Sequence, residues 1–214
     1  MVPILALVAD YAERDRFVSF VYPEGTLMDL YFATAGWTAA LTGQDPPAPS
    51  SRTTFTPLTS YIDHQTLNRE IDLVLDVLAK VTVFGKGALF AIEWTLNEVA
   101  DNVLVHAAKA RGWMQVIARP VNKFVDIVVA DRGPGVQAIL RQGYPDLTSD
   151  TEALRLAVQP GVTRNKAVGQ GNGLAGSFRI AQTTRGWMNL MSGSGDLRLF
   201  PQRDHPRHRN RIRS

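Results

Sequence analysis

Between residues 61 and 200 the spacing of apolar residues switches repeatedly between a helical and an extended period. Asp63 can cap a helix whose apolar face is Leu67, Ile71, Val74, Leu75 and Leu78. A second helix is predicted over 88–110, where Leu89, Ile92, Leu96, Val99 and Val103 recur at spacings of three and four. Gly112 ends it. "WMQVIAR" (113–119) and "FVDIVVAD" (124–131) then read as two strands joined by "PVNK", an antiparallel pair. Ser149 and Glu152 form a capping box for a helix ending near Val158. A long loop over 159–173 leads into a helix from Leu174 to about Thr184, and "WMNLMS" with "LRLF" makes a closing hairpin across "GSGD". Strands in hairpins with helices between them define an α+β fold. The expected form is a two-layer sandwich with helices on one face of a mixed or antiparallel sheet.

The residues before this region follow other patterns. "MVPILALVAD" (1–10) and "FVSFVYP" (17–23) read as strands. Leu27, Leu30, Tyr31, Thr34, Trp37 and Leu41 have helical spacing, stopped by Gly43. Three prolines in "QDPPAPSSRT" (44–53) block both helix and sheet. The expected organisation is a small N-terminal β/α segment (1–43), a Pro-rich linker (44–60), the main domain (61–202) and a disordered basic tail (203–214).

Composition narrows the chemistry. The chain has no cysteine, which excludes a disulfide framework, a thiolate zinc site and a cysteine nucleophile, and fits a reducing cytoplasm. The apolar opening is too short to span a membrane, so a cytoplasmic protein with no membrane partner is expected. Arg203, Arg207, Arg209, Arg211 and Arg213, set against Asp204, more than account for the net charge of +3. A nucleic-acid partner would therefore rest on the tail alone; a solvated end is the other reading.

"VGQGNGLAG" (168–176) has four glycines in nine residues. A phosphate-loop NTPase needs Lys-Ser/Thr after the last glycine, and here Leu174 and Ala175 follow Gly173. The dinucleotide fingerprint GxGxxG is matched by Gly171, Gly173 and Gly176, but polar "TRNKAV" precedes it in place of a strand.

Two further boxes accompany the glycines in order. "NEVADNVLVHA" (97–107) lies on the second helix, "DRGPG" (131–135) at a strand end, and "GQGNGL" (169–174) opens a helix. Glu98 and Asn102 stand four apart and so share one helix face, about 6 Å apart along the axis. The set resembles the ATP-binding superfamily shared by gyrase B subunits, heat-shock chaperones, histidine kinases and MutL-type repair proteins, called GHKL or the Bergerat fold. The resemblance covers roughly residues 61–200. The run Glu98, Asn102, His106-Ala107 looks like the serine kinases that act as bacterial anti-sigma factors.

The resemblance implies a Bergerat fold with ATP and Mg2+ as cofactors. It implies that Asn102 binds the magnesium, that Glu98 is the general base and that Asp131 reads the adenine amine. Asp101 flanks Asn102 and would tune it, while His106 is open between a structural and a catalytic role. Gly133 and Gly135 would let the backbone turn under the base. Gly169, Gly171, Asn172, Gly173 and Leu174 would cradle phosphate with backbone N–H groups. Arg164 and Lys166 either add charge from a lid or are solvated surface residues. Relatives place a threonine near the last strands, and only Ser192 or Ser194 could stand for it here. His64 precedes a helix, but its surroundings do not resemble a phosphoacceptor box.

The function expected from this set is Mg-dependent ATP hydrolysis, or transfer of the terminal phosphate to a serine or threonine of a partner protein. The alternative is a non-catalytic module that senses ATP and changes a partner contact. A homodimer is compatible with either.

Overall fold

The computed structural model describes residues 25–42, 44, 47–48, 54–81, 87–106, 111–163 and 172–201. The strands expected at 1–10 and 17–23, and the tail at 203–214, lie outside the described residues.

Two helices and an antiparallel sheet build the main core. Helix α3 (His64–Val81) starts where Asp63 accepts the Thr66 N–H at 2.7 Å, so the expected cap forms. Those hydrogen bonds hold the Asp63 carboxyl below its ordinary range. Helix α4 (Ala88–His106) follows. Leu67, Ile71, Val74 and Leu78 of α3 meet Leu96, Ala100 and Val103 of α4 in a fully buried cluster. Ala100 lies in this seam, and Val99, which the spacing placed there, is half-buried.

The sheet has the order β1-β2-β3, with β1 at Thr59–Tyr61, β2 at Gly112–Arg119 and β3 at Phe124–Ala130. All pairings are antiparallel, with Thr59 opposite Met114 and Val116 opposite Ile127. Met114, Val116, Ala118, Val125, Ile127 and Val129 face α3 and α4, as period-two alternation requires.

The opposite face is covered as well, which corrects the expectation of helices on one face only. Helix α1 (Thr26–Thr34) leads into α2 (Trp37–Thr42), and Trp37, Ala40 and Leu41 of α2 pack on Leu58, Trp113, Val128 and Ala130. Gln115 points to this side and is buried, yet its amide is satisfied. It accepts from Trp37 Nε1 at 3.0 Å and donates to the Ala35 and Thr56 carbonyls, both at 3.3 Å. The helix read as continuous from Leu27 to Thr42 is therefore broken at Ala35–Gly36, where the Ala35 carbonyl also accepts the Leu58 N–H. Leu27 and Leu30, which have helical spacing, are 83% and 60% exposed.

The linker expectation also needs correction over residues 54–60. Thr56, Leu58 and Thr59 are buried, Phe55 bridges Ile117, and the backbones of Thr54 and Thr56 bond to Ala118 and Val116. Pro57, which lacks an N–H, fits between these bonds at the sheet edge. The prolines at 46, 47 and 49 stop short of this stretch.

A third cluster sits beyond β3. Helix α5 (Val136–Leu140), which the sequence pattern did not suggest, and α6 (Asp150–Ala157) share Leu140, Leu147, Ala153 and Ala157. Ser149 caps α6 by accepting the Glu152 N–H at 3.2 Å, while Glu152 reaches back to the Thr148 N–H at 2.9 Å. Helix α7 (Gly173–Thr183) adds Leu174 to this cluster. Strands β4 (Met188–Ser192) and β5 (Gly195–Leu199) pair across Gly193–Ser194 as a separate two-stranded sheet. The hairpin is held to α6 by Asp150, which accepts from both the backbone N–H and the hydroxyl of Ser194.

One close approach ties the first core to the site described next. Tyr61 is fully buried, and a Cβ at Gly112 would overlap its ring. Gly112→Ala is expected to cost about 1–3 kcal/mol through overpacking, because neither the ring nor the strand can yield. Urea unfolding of the variant against the native chain measures it.

Candidate functional site

Helix α4 carries the first box. Glu98 and Asn102 are both half-buried, one helical turn apart, on the flank of the stripe that buries Leu96 and Ala100. Burial, and then the charge of Asp101, hold the Glu98 carboxyl above its ordinary range. Asp101 is anchored outside this pair. Its Oδ1 lies 2.8 Å from His64 Nε2 at the start of α3. Its charge raises the proton affinity of both Glu98 and Tyr61. His106 closes α4, and its side chain lies outside the described part.

The second box follows β3. Asp131 is exposed at the strand end, and its Oδ1 accepts the Gly133 N–H at 2.5 Å. That bond closes the turn and engages one of the two carboxylate oxygens. Gly135 has a φ of 85°, and the next residue, Val136, donates its N–H to Ser192 Oγ at 2.9 Å. Of the two serines left open by the sequence, Ser192 therefore meets the "DRGPG" turn, and Ser194 is taken by Asp150.

The third box begins α7. Asn172 is the N-cap residue, but its side chain makes no capping bond, so the first-turn N–H groups of α7 are not closed off by it. The Leu174 side chain packs on the α5–α6 cluster, which fixes the first turn of α7. Gly173 lies directly against Glu98, because a Cβ at Gly173 would stand 2.6 Å from Glu98 Oε2. One turn further, a Cβ at Gly176 would overlap the indole of Trp94. Gly176 is thus required by the close crossing of α7 over α4, independently of any phosphate, while the space beside Gly173 is taken by the end of the Glu98 side chain. Arg164, Lys166, Gly169 and Gly171 lie outside the described residues.

The structure brings Glu98 together with Gly173, Gly133 together with Asp131, and Ser192 together with Gly135 and Val136 at the turn after Asp131. Tyr61 connects the two groups. Its hydroxyl donates to the Ala100 carbonyl at 3.3 Å, between Glu98 and Asn102 in sequence. Burial, then the charges of Asp131 and Asp101, push the phenol well above its ordinary range. Tyr61 and Trp94 were missed from sequence. Each depends on a glycine distant along the chain, and an aromatic residue with apolar neighbours gives no sign of such a partner.

Among the described residues no group of three His, Asp or Glu side chains could hold a metal by itself. No helix among them is long and apolar enough to cross a membrane. Comparison with protein-family models, curated proteins and solved structures gave no match.

Proposed function

We propose that this chain is a magnesium-dependent ATP-binding protein of the GHKL type that hydrolyses ATP or passes its terminal phosphate to a hydroxyl of a partner protein. The observation that carries the reading is the contact of Glu98 with Gly173. A carboxylate whose proton affinity is raised sits against the start of an eleven-residue helix whose first-turn N–H groups lack a side-chain cap. A triphosphate needs such donors, and a nucleophile aimed at its terminal phosphorus needs such a base.

The donor set fits the nucleotide. The second carboxylate oxygen of Asp131 can accept from the exocyclic amine of adenine, and would oppose the carbonyl oxygen of guanine. Ser192 holds the backbone of the turn beside it. Asn102 offers a hard carbonyl oxygen, and with no three-ligand cage among the described residues a magnesium ion would take its other ligands from phosphate and water. Held there by Asn102, magnesium would neutralise phosphate charge. Glu98 takes the proton as the oxygen of water or of a partner hydroxyl bonds to the terminal phosphorus, the bond from that phosphorus to the bridging oxygen breaks and ADP leaves. The charge of Asp101 raises the proton affinity of this base.

Incubation with γ-labelled ATP and Mg2+ tests the reaction. Release of labelled phosphate, or its appearance on a co-purifying protein, is expected. Binding without either would leave an ATP-sensing module, and no effect of ATP at all would remove the proposal.

A further inference from the structure

We infer that Gly173 is a positioning residue for the Glu98 carboxylate, in addition to any part the α7 N-terminus takes in holding phosphate. The inference rests on the ATPase or kinase reading of Glu98.

Glycine in this run is ordinarily read as room for a phosphate. The space beside Gly173 is instead filled from within the protein. A Cβ there would meet Glu98 Oε2 at 2.6 Å, and the Cβ and Cδ of the same side chain at 3.6 Å. All three neighbours belong to one glutamate, so Gly173 forms the wall against which that carboxylate rests.

The wall is held on three sides. Trp94 fills the notch at Gly176, one turn along α7. Leu174 is packed into the α5–α6 cluster. Ser177 Oγ donates to the Gly173 carbonyl at 2.9 Å, and the Gly176 N–H donates to the Asn172 carbonyl at 2.6 Å. An added methyl at residue 173 therefore cannot be relieved by shifting α7. It is relieved by swinging the far end of Glu98, which is flexible and half-buried.

This separates two roles that sequence alone merges. If Gly173 served only phosphate approach, Gly173→Ala would weaken ATP binding. If it positions Glu98, the variant binds ATP normally and reacts slowly, because displacing a catalytic group by about 1 Å costs about 10²-fold in rate. Gly173 opens α7 and does not have a positive φ, so its backbone accepts alanine, which favours folding by restricting the unfolded chain. A variant that is at least as stable as the native chain, yet slower, is the expected signature. A merely structural glycine would not give it.

The experiment measures Tm, ATP affinity and turnover for the native chain, Gly173→Ala, Glu98→Gln and the double variant. Expected are an unchanged or raised Tm for Gly173→Ala, an ATP affinity within about threefold, and turnover lowered about 10²-fold with no further loss when added to Glu98→Gln. A loss of affinity that accounts for the loss of turnover overturns the inference and leaves the nucleotide site standing. Multiplicative losses in the double variant also overturn it. A native chain that binds ATP without turning it over removes the inference together with the catalytic reading and leaves an ATP-sensing module, and one that binds no ATP removes the whole proposed function. A Glu98→Ala background supplies a readout that needs no nucleotide. There, the gain in Tm from Gly173→Ala should be larger than in the native chain, and an equal gain means that the contact exerts no pressure on Glu98.

Discussion

Replacing Glu98 with glutamine is expected to leave ATP affinity nearly unchanged and to lower turnover by about 10²–10⁴-fold, the usual contribution of a positioned general base. The amide keeps the shape of the side chain and so preserves the contact with Gly173, while losing the ability to take a proton. The native pH profile carries the same information. Burial and the charge of Asp101 raise the proton affinity of Glu98. The base is therefore protonated at low pH, and turnover should rise with pH through a value above the ordinary carboxyl range. Asp101→Asn removes one of the two causes and should move that acid limb to lower pH. Single-turnover kinetics across pH, with ATP saturating, separates the effect from binding.

Asp131→Asn is expected to act on the opposite step. One carboxylate oxygen already accepts the Gly133 N–H, so in the variant the amide oxygen keeps that bond and the NH2 group takes the place of the second oxygen. A donor would then face the amine of adenine, also a donor. Losing a hydrogen bond to a charged acceptor costs about 1.5–3 kcal/mol, which is about 10–10²-fold in affinity. The same NH2 can donate to the carbonyl of guanine, so the preference for ATP over GTP should narrow. Titration of the variant with both nucleotides checks the loss and the shift together.

The two long helices were legible because each buries one stripe over several turns. Leu67, Ile71, Val74 and Leu78 on α3, and Leu96 and Val103 on α4, are the residues that the spacing selected. The Ser149 cap and the closing hairpin were legible for local reasons, a side chain three residues from its N–H partner and a two-residue glycine–serine turn. Strand β1 was hidden. Three residues give no alternation, and its neighbours resemble the proline stretch more than a strand. The break at Ala35–Gly36 was hidden because helical spacing continues through it, and the Leu58 N–H that turns the Ala35 carbonyl away comes from a distant part of the chain.

The site was legible as three boxes but not as an arrangement. Spacing on α4 put Glu98 and Asn102 on one face, and the "DRGPG" run announced a turn. Spacing could not reveal that Gly173 rests on Glu98, that Gly176 admits Trp94, or that Tyr61 joins the α4 backbone to the neighbourhood of Asp131. Those contacts cross between elements, where residue type alone is silent. The glycines of α7 show the consequence. They read as space left for a ligand, and in the fold part of that space belongs to the protein's own side chains.

Calorimetric titration of the full chain with ATP in the presence of Mg2+ tests the central claim most directly. The account predicts saturable binding at one site per chain, weakened by Asp131→Asn and retained by Glu98→Gln. Absence of binding to both ATP and ADP under these conditions would contradict it.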